Sequence, residues 1–217
     1  MAEEAPDFDS LLASYVAGSL VEPARVLVRS YLELNRENRE FVRGLESMAG
    51  EMLDDIEPQP LEARNERLAS ILALEPEQLR DRKRGPEVGK DDLLPPSLRN
   101  FLGRGLNDLS WRTRLPGLKE HRLGEIDGCS VSLLWIRAGQ AMPTHTHSGK
   151  ELTLVLDGGF SDGIGHYLRG DVSFADDTVD HRPVADDDGD CLCFVVTEGD
   201  LRLTGPIGRF FAPFVRG

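Results

Sequence analysis

The stretch His145-Thr146-His147-Ser148-Gly149-Lys150-Glu151 sets two imidazoles and a carboxylate close together along the chain. Side chains alternate on a β-strand, so His145 and His147 project from one side and both rings can reach a single ion. Glu151 has the same parity, although a bulge at Ser148 and Gly149 would break that count. Neutral imidazoles with one carboxylate suit zinc, iron, nickel, manganese or copper. Calcium would require more oxygen ligands. Taken alone, a His-x-His pair is more commonly two surface histidines in a polar turn beside a salt-bridged glutamate, so the surroundings of the pair decide its meaning.

Four of the five histidines fall between residues 145 and 181. The fifth, His121, precedes the strand-rich part and reads as structural. Cys191 and Cys193 flank Leu192 on one face of a strand. They are either a thiol pair open to oxidation or small core residues, and the core reading is the commoner one, as it is for Cys129. The run Gly158 to Gly165 lacks the Lys-Ser/Thr of a phosphate loop and reads as a hairpin. No Ser-His-Asp or Cys-His signature is present, so no catalytic residue is assigned. The basic group Arg80, Arg82, Lys83 and Arg84 is too short, and too offset by acids, to mark nucleic-acid binding.

Two kinds of sequence must position these residues. Up to residue 75 apolar residues recur at helical spacing: Phe8, Leu11, Leu12, Tyr15 and Val16; then Leu27, Tyr31 and Leu34; then Phe41, Leu45, Met48 and Met52; then Leu61, Leu68, Ile71 and Leu72. Asp7 or Asp9 could cap the first helix, and Pro23 suits the first turn of the second. A small helical bundle is expected over 1–75. Residues 76–96, rich in charge, Gly and Pro, read as a linker. Beyond it the period becomes two, most clearly in Val131 to Ile136, Glu151 to Leu156 and Cys191 to Val196, with glycine turns between, which predicts an antiparallel sandwich or barrel over 97–217.

The 217-residue chain carries 25 Lys/Arg against 38 Asp/Glu, a formal charge of −13. Of these, 21 acids and 12 bases lie in residues 1–94. So acidic a chain is a poor general binder of nucleic acid. Three cysteines without paired spacing, no signal-peptide pattern and no long apolar run predict a cytoplasmic protein that does not cross a membrane. The acidity of the helical half is either a solvated surface or a face complementary to a basic partner.

Gly139, His145-x-His147, Glu151 and Gly158 match the first motif of the cupin superfamily at every position. That resemblance implies a jelly roll holding a metal in its interior, with a fourth ligand from a later histidine. His181 fits that role better than His166, although Leu168-Arg169-Gly170 lacks the proline of the usual second motif. The acidic helical part, Leu94-Pro95-Pro96-Ser97-Leu98, the Trp111 segment and His181-Arg182-Pro183 together resemble the ChrR-type anti-sigma factors. This likeness implies a helical domain that sequesters a sigma factor of the extracytoplasmic-function type, a protein partner, with the cupin as sensor. It also implies a zinc site in the helices, formed by His, three residues, Cys, two residues, Cys. Here Tyr31, Asn35 and Asn38 stand in those places, and none is a good zinc ligand. The competing expectation is a metal-dependent cupin enzyme such as a dioxygenase.

Overall fold

A computed structural model describes residues 8–73 and 93–204. The first helix, α1 (Phe8–Val16), has Asp9 in its first turn, where a carboxylate opposes the positive end of the helix dipole. Asp7 lies outside the described residues. The second, α2 (Glu22–Leu34), carries Pro23 in its first turn, where no backbone N–H is missed. A sharp corner leads to α3 (Glu37–Asp54). Arg39 fastens that corner: its guanidinium donates to the Leu32 and Glu33 carbonyls, two of the acceptors that the end of α2 leaves without helical partners. A fourth helix, α4 (Arg64–Leu72), follows. Most of the expected linker falls outside the described residues, but Leu94 is buried and a short helix, α5, starts at Pro96 and runs to Leu102.

Eleven strands follow among the described residues. Six form one antiparallel sheet: β1 (Arg112–Leu115), β2 (Leu118–Ile126), β3 (Cys129–Ile136), β10 (Cys191–Glu198), β5 (Glu151–Asp157) and β8 (Val172–Ala175), in that order across it. Opposite lie a pair, β11 (Leu201–Leu203) with β4 (His145–His147), and a three-stranded ribbon of β7 (His166–Leu168), β6 (Gly159–Ser161) and β9 (Val184–Ala185). The helical segment followed by two antiparallel layers is the architecture the sequence predicts.

The large sheet is covered on both faces, which explains why β10 is apolar almost without interruption. One set of its alternating residues, Cys191, Cys193 and Val195, points between the layers with Val155 and Phe160. The other set, Leu192, Phe194 and Val196, joins Leu133, Leu154 and the helix residues Leu12, Leu27 and Leu98 in a single core. The α2 helix lies against α5, β5 and β10. Three hydrogen bonds to two carboxylates tie it there as well. The Asp127 carboxylate in the β2–β3 turn accepts the Glu22 N–H, and the Glu33 carboxylate accepts from the backbone and hydroxyl of Ser97 at 3.0 and 2.7 Å.

The third and fourth helices depart from the expected packing. Val42 is the buried residue of α3, while Phe41, Met48 and Met52 of the apolar stripe are exposed, the last by 71 %. Leu45 is half-buried, and no residue of α4 is buried. An amphipathic period identifies an apolar face without saying what covers it.

Candidate metal centre

The pleat of β4 sends His145 and His147 to the same side, into the space between the layers, where each is nearly fully buried. Glu151 begins β5 and enters from the large sheet. His181 arrives from the irregular stretch between β8 and β9, held by a backbone bridge with His145 whose two N–H···O bonds are each 3.0 Å. His145 Nε2 lies 3.1 Å from His181 Nε2, and His147 Nε2 lies 3.4 Å from both His181 Nε2 and Glu151 Oε2. One donor atom from each of the four residues falls within 4.8 Å of all the others, so the cluster could hold a metal ion.

The outer atoms of His145, His181 and Glu151 are also engaged, whereas His147 Nδ1 is buried without a hydrogen-bond partner. His145 Nδ1 lies 2.8 Å from the Pro143 carbonyl and His181 Nδ1 lies 3.2 Å from Asp162 Oδ2, while both Nε2 atoms are on the side of the cluster. The Glu151 carboxylate accepts from the hydroxyls of Thr197 and Thr153. Burial lowers the His145 pKa to about 4 and that of His147 to about 3, the neighbouring rings adding to the effect, so both imidazoles are neutral near pH 7. Burial pushes Glu151 the other way, upward, against the pull of His181 and the two threonines. A cation among these groups would favour the ionised carboxylate and the neutral rings alike.

Other candidate residues lie elsewhere. His166 is exposed on β7 and pairs with Asp186 at 2.8 Å, outside the cluster. His121 bonds the Ser110 carbonyl and sits against Trp111. The Cys191 and Cys193 sulfurs are 3.4 Å apart in the interior, and Cys129 faces the helices. Hydrogen bonding to Cys191, then burial, raises Cys193 well above the ordinary thiol range, which keeps it a poorly nucleophilic thiol.

Asp162 escaped the sequence reading. Its side chain is fully buried, and its Oδ1 accepts the Ile164 and Gly165 N–H groups at 2.8 and 2.9 Å. Burial alone would raise its pKa, but the bonds from His181 and from these two amides outweigh that and hold it below the ordinary carboxylate value. The available signal was Asp162-Gly163-Ile164-Gly165, an Asx-turn pattern at a hairpin tip.

In the helices, Tyr31, Asn35 and Asn38 bond one another. The Asn38 side-chain amide donates to the Tyr31 hydroxyl, and the Asn38 N–H reaches Asn35 Oδ1 at 3.4 Å. A phenol and two amides already committed to each other do not fit a zinc site.

Three comparisons bear on these observations. The ChrR cupin-like domain family matches residues 104–199. The anti-sigma-E factor ChrR of Cereibacter sphaeroides is 35% identical over 208 residues, which are 96% of each chain. A chain in the crystal structure of Rhodobacter sphaeroides SigE in complex with the anti-sigma ChrR superposes with a TM-score of 0.73 at 33% identity, covering 90% of this chain and 99% of that one. No helix among the described residues is long and apolar enough to cross a membrane.

Proposed function

The chain belongs to the ChrR family of anti-sigma factors, and on that premise we propose that its helices hold a sigma factor of the extracytoplasmic-function type inactive while a metal-loaded cupin governs release. The division of labour follows the chain: residues 1–75 bind the sigma factor, 76–96 connect, and 97–217 form the sensor. The protein acts in the cytoplasm, where its partner meets RNA polymerase.

The observation that carries this reading is the uncovered apolar face of α3 and α4. Phe41, Met48, Met52, Leu68, Ile71 and Leu72 are each between 42 % and 76 % exposed. Apolar surface concentrated on the outer side of α3, which buries Val42 on its inner side, and on α4, which buries no residue, marks an interaction site. Residues 37–73 also carry nine acids against four arginines. A sigma factor presents basic surface for DNA, so complementary charge would steer the encounter and weaken it as salt rises.

For the sensor, His145, His147, Glu151 and His181 are the ligands and zinc is the metal. Tetrahedral zinc with bonds of about 2.0–2.1 Å sets its ligand atoms about 3.3–3.4 Å apart. Three donor separations here, 3.1, 3.4 and 3.4 Å, are near that spacing, and all the donors lie within 4.8 Å of one another. When bound, the ion would neutralise the buried carboxylate and tie both layers together. The rings of His145 and His181 are already oriented for this by Pro143 and Asp162. Cavities of about 190 and 280 Å³ lie between the helices and the sheet, and none of the four cluster residues lines either.

The test is transcription in vitro by the cognate sigma factor with and without this protein. Full-length protein should inhibit, and Met48→Asp with Leu68→Asp should relieve inhibition while leaving bound metal unchanged. Failure of the full-length protein to inhibit, together with oxygen consumption on a small substrate, would replace this reading by the enzyme one.

A further inference from the structure

We propose that Asp162 is a positioning residue that selects the tautomer and fixes the ring orientation of His181. This inference rests on the reading of His181 as a metal ligand. A neutral imidazole carries one N–H, and only the other nitrogen has a lone pair to give. For Nε2 to serve the cluster, the proton must sit on Nδ1. Asp162 Oδ2 is 3.2 Å from that Nδ1, and an ionised carboxylate can only accept.

His181 depends on this support in a way its neighbours do not. His145 and His147 stand on a strand whose pleat aims them, whereas His181 belongs to no named strand and its backbone is held by a single bridge to His145. The His145 Nδ1 has the Pro143 carbonyl 2.8 Å away, supplied by its own segment. The acceptor for His181 comes from a hairpin tip 19 residues earlier in the chain. That tip is itself fixed, because Asp162 divides its two oxygens: Oδ1 takes the Ile164 and Gly165 N–H groups, and Oδ2 is left for the ring. The Asp162 backbone N–H also closes on the Gly165 carbonyl at 3.0 Å.

This division makes one substitution diagnostic. In Asp162→Asn the two backbone donors still demand an acceptor, so the amide oxygen stays with them and the NH₂ faces His181. A donor at that place drives Nδ1 to accept, which moves the ring proton to Nε2, into the cluster. The turn survives while the polarity toward the ring is reversed.

The experiment has two readouts on the full-length protein. The first is zinc affinity by chelator competition: Asp162→Asn should bind about 10- to 100-fold more weakly, the range found when a partner of a ligating histidine is lost. Asp186→Asn, which alters the exposed pair with His166, should bind as wild type does. The second is the ¹⁵N signature of His181 in metal-free protein at about pH 8, above the ordinary imidazole value of about 6.5. Wild type should carry the proton on Nδ1 and Asp162→Asn on Nε2. A wild type that binds no zinc would remove the reading of His181 as a ligand, and the tautomer would still report on Asp162. Zinc affinity unchanged in a folded Asp162→Asn, or a wild-type ring protonated at Nε2, would overturn the role of Asp162. Should the variant not fold, the wild-type tautomer decides.

Discussion

Glu151 and Leu152 are consecutive on β5 and face opposite sides of one sheet. The Glu151 carboxylate lies 3.4 Å from His147 Nε2, whereas Leu152 belongs to the core that α2 shares through Leu27. The adjacent strand repeats the arrangement: Thr197, paired with Glu151 in register, donates to its carboxylate, while Val196, paired with Leu152, faces the helices. The sheet is therefore a wall common to the cluster of His145, His147, Glu151 and His181 and the helical segment.

Metal content gives the first prediction. Protein purified without an affinity tag should contain about one equivalent of zinc, and His147→Ala should contain none. His147 Nε2 lies within 3.4 Å of two of the other donor atoms, so its loss opens one side of the cluster. An equivalent retained by His147→Ala would place the metal elsewhere.

The metal-free protein should lose stability as pH falls below about 6.5. Folding holds His145 at about 4 and His147 at about 3, against 6.5 as the ordinary value, so between these limits the unfolded chain binds more protons than the folded one. Their contribution is present above about pH 6.5 and is lost on acidification. Glu151, raised by burial, works oppositely above its ordinary 4.5, because the folded chain keeps a proton that the unfolded chain has released. Between about pH 5 and 6.5 the two histidines together take up about one to two protons on unfolding, a slope of about 1.4–2.7 kcal/mol per pH unit, from which Glu151 takes off at most about one proton. Urea unfolding at several pH values between about 5 and 6.5 measures it, and a flat profile would contradict neutral buried histidines.

Much of this was legible from residue types and spacing. Gly158 closes the cupin-like motif for a steric reason: its φ is +65°, and a Cβ there would run into the Asp190 carbonyl oxygen. The pleat of β4 made the pairing of His145 with His147 readable from parity alone. His181 could not be reached that way, because no period governs the irregular segment that carries it, and only the family likeness pointed to it. Nor could Asp162, whose partner is 19 residues away. The face of α2 was readable, but its burial against β5 and β10 was not, since an apolar stripe carries no address.

The bonded trio in the helices gives a further prediction. Tyr31→Phe removes the acceptor of the Asn38 amide at a half-buried site, which should cost about 1–3 kcal/mol of stability and leave zinc content unchanged. Thermal unfolding with elemental analysis on the same samples checks both parts. Loss of zinc in this variant would show that the helices share in holding it.

The last prediction concerns the shared wall. If the sheet carries the state of the metal cluster to the helices, weakening its helix-facing side should uncouple the two without emptying the cluster. Leu152 is suited to this test, being 6 % exposed, packed in the helix-side core and adjacent to Glu151. Leu152→Ala should destabilise the protein by about 2–5 kcal/mol, the usual cost of truncating a buried leucine. Its zinc content should remain about one equivalent, because no atom of Leu152 belongs to the cluster. The informative quantity is the ratio of sigma-factor affinities for zinc-loaded and zinc-free protein. Couplings between sites are typically about 1–3 kcal/mol, or about 5- to 150-fold in affinity, so the wild type should show a ratio in that range. In Leu152→Ala the ratio should fall toward unity, with the zinc-loaded affinity changed less than the ratio, because α3 and α4 rather than the sheet supply the binding face. A variant that keeps the full wild-type ratio would show that the signal reaches the helices by another path, and a wild-type ratio of one would show that the metal does not govern release.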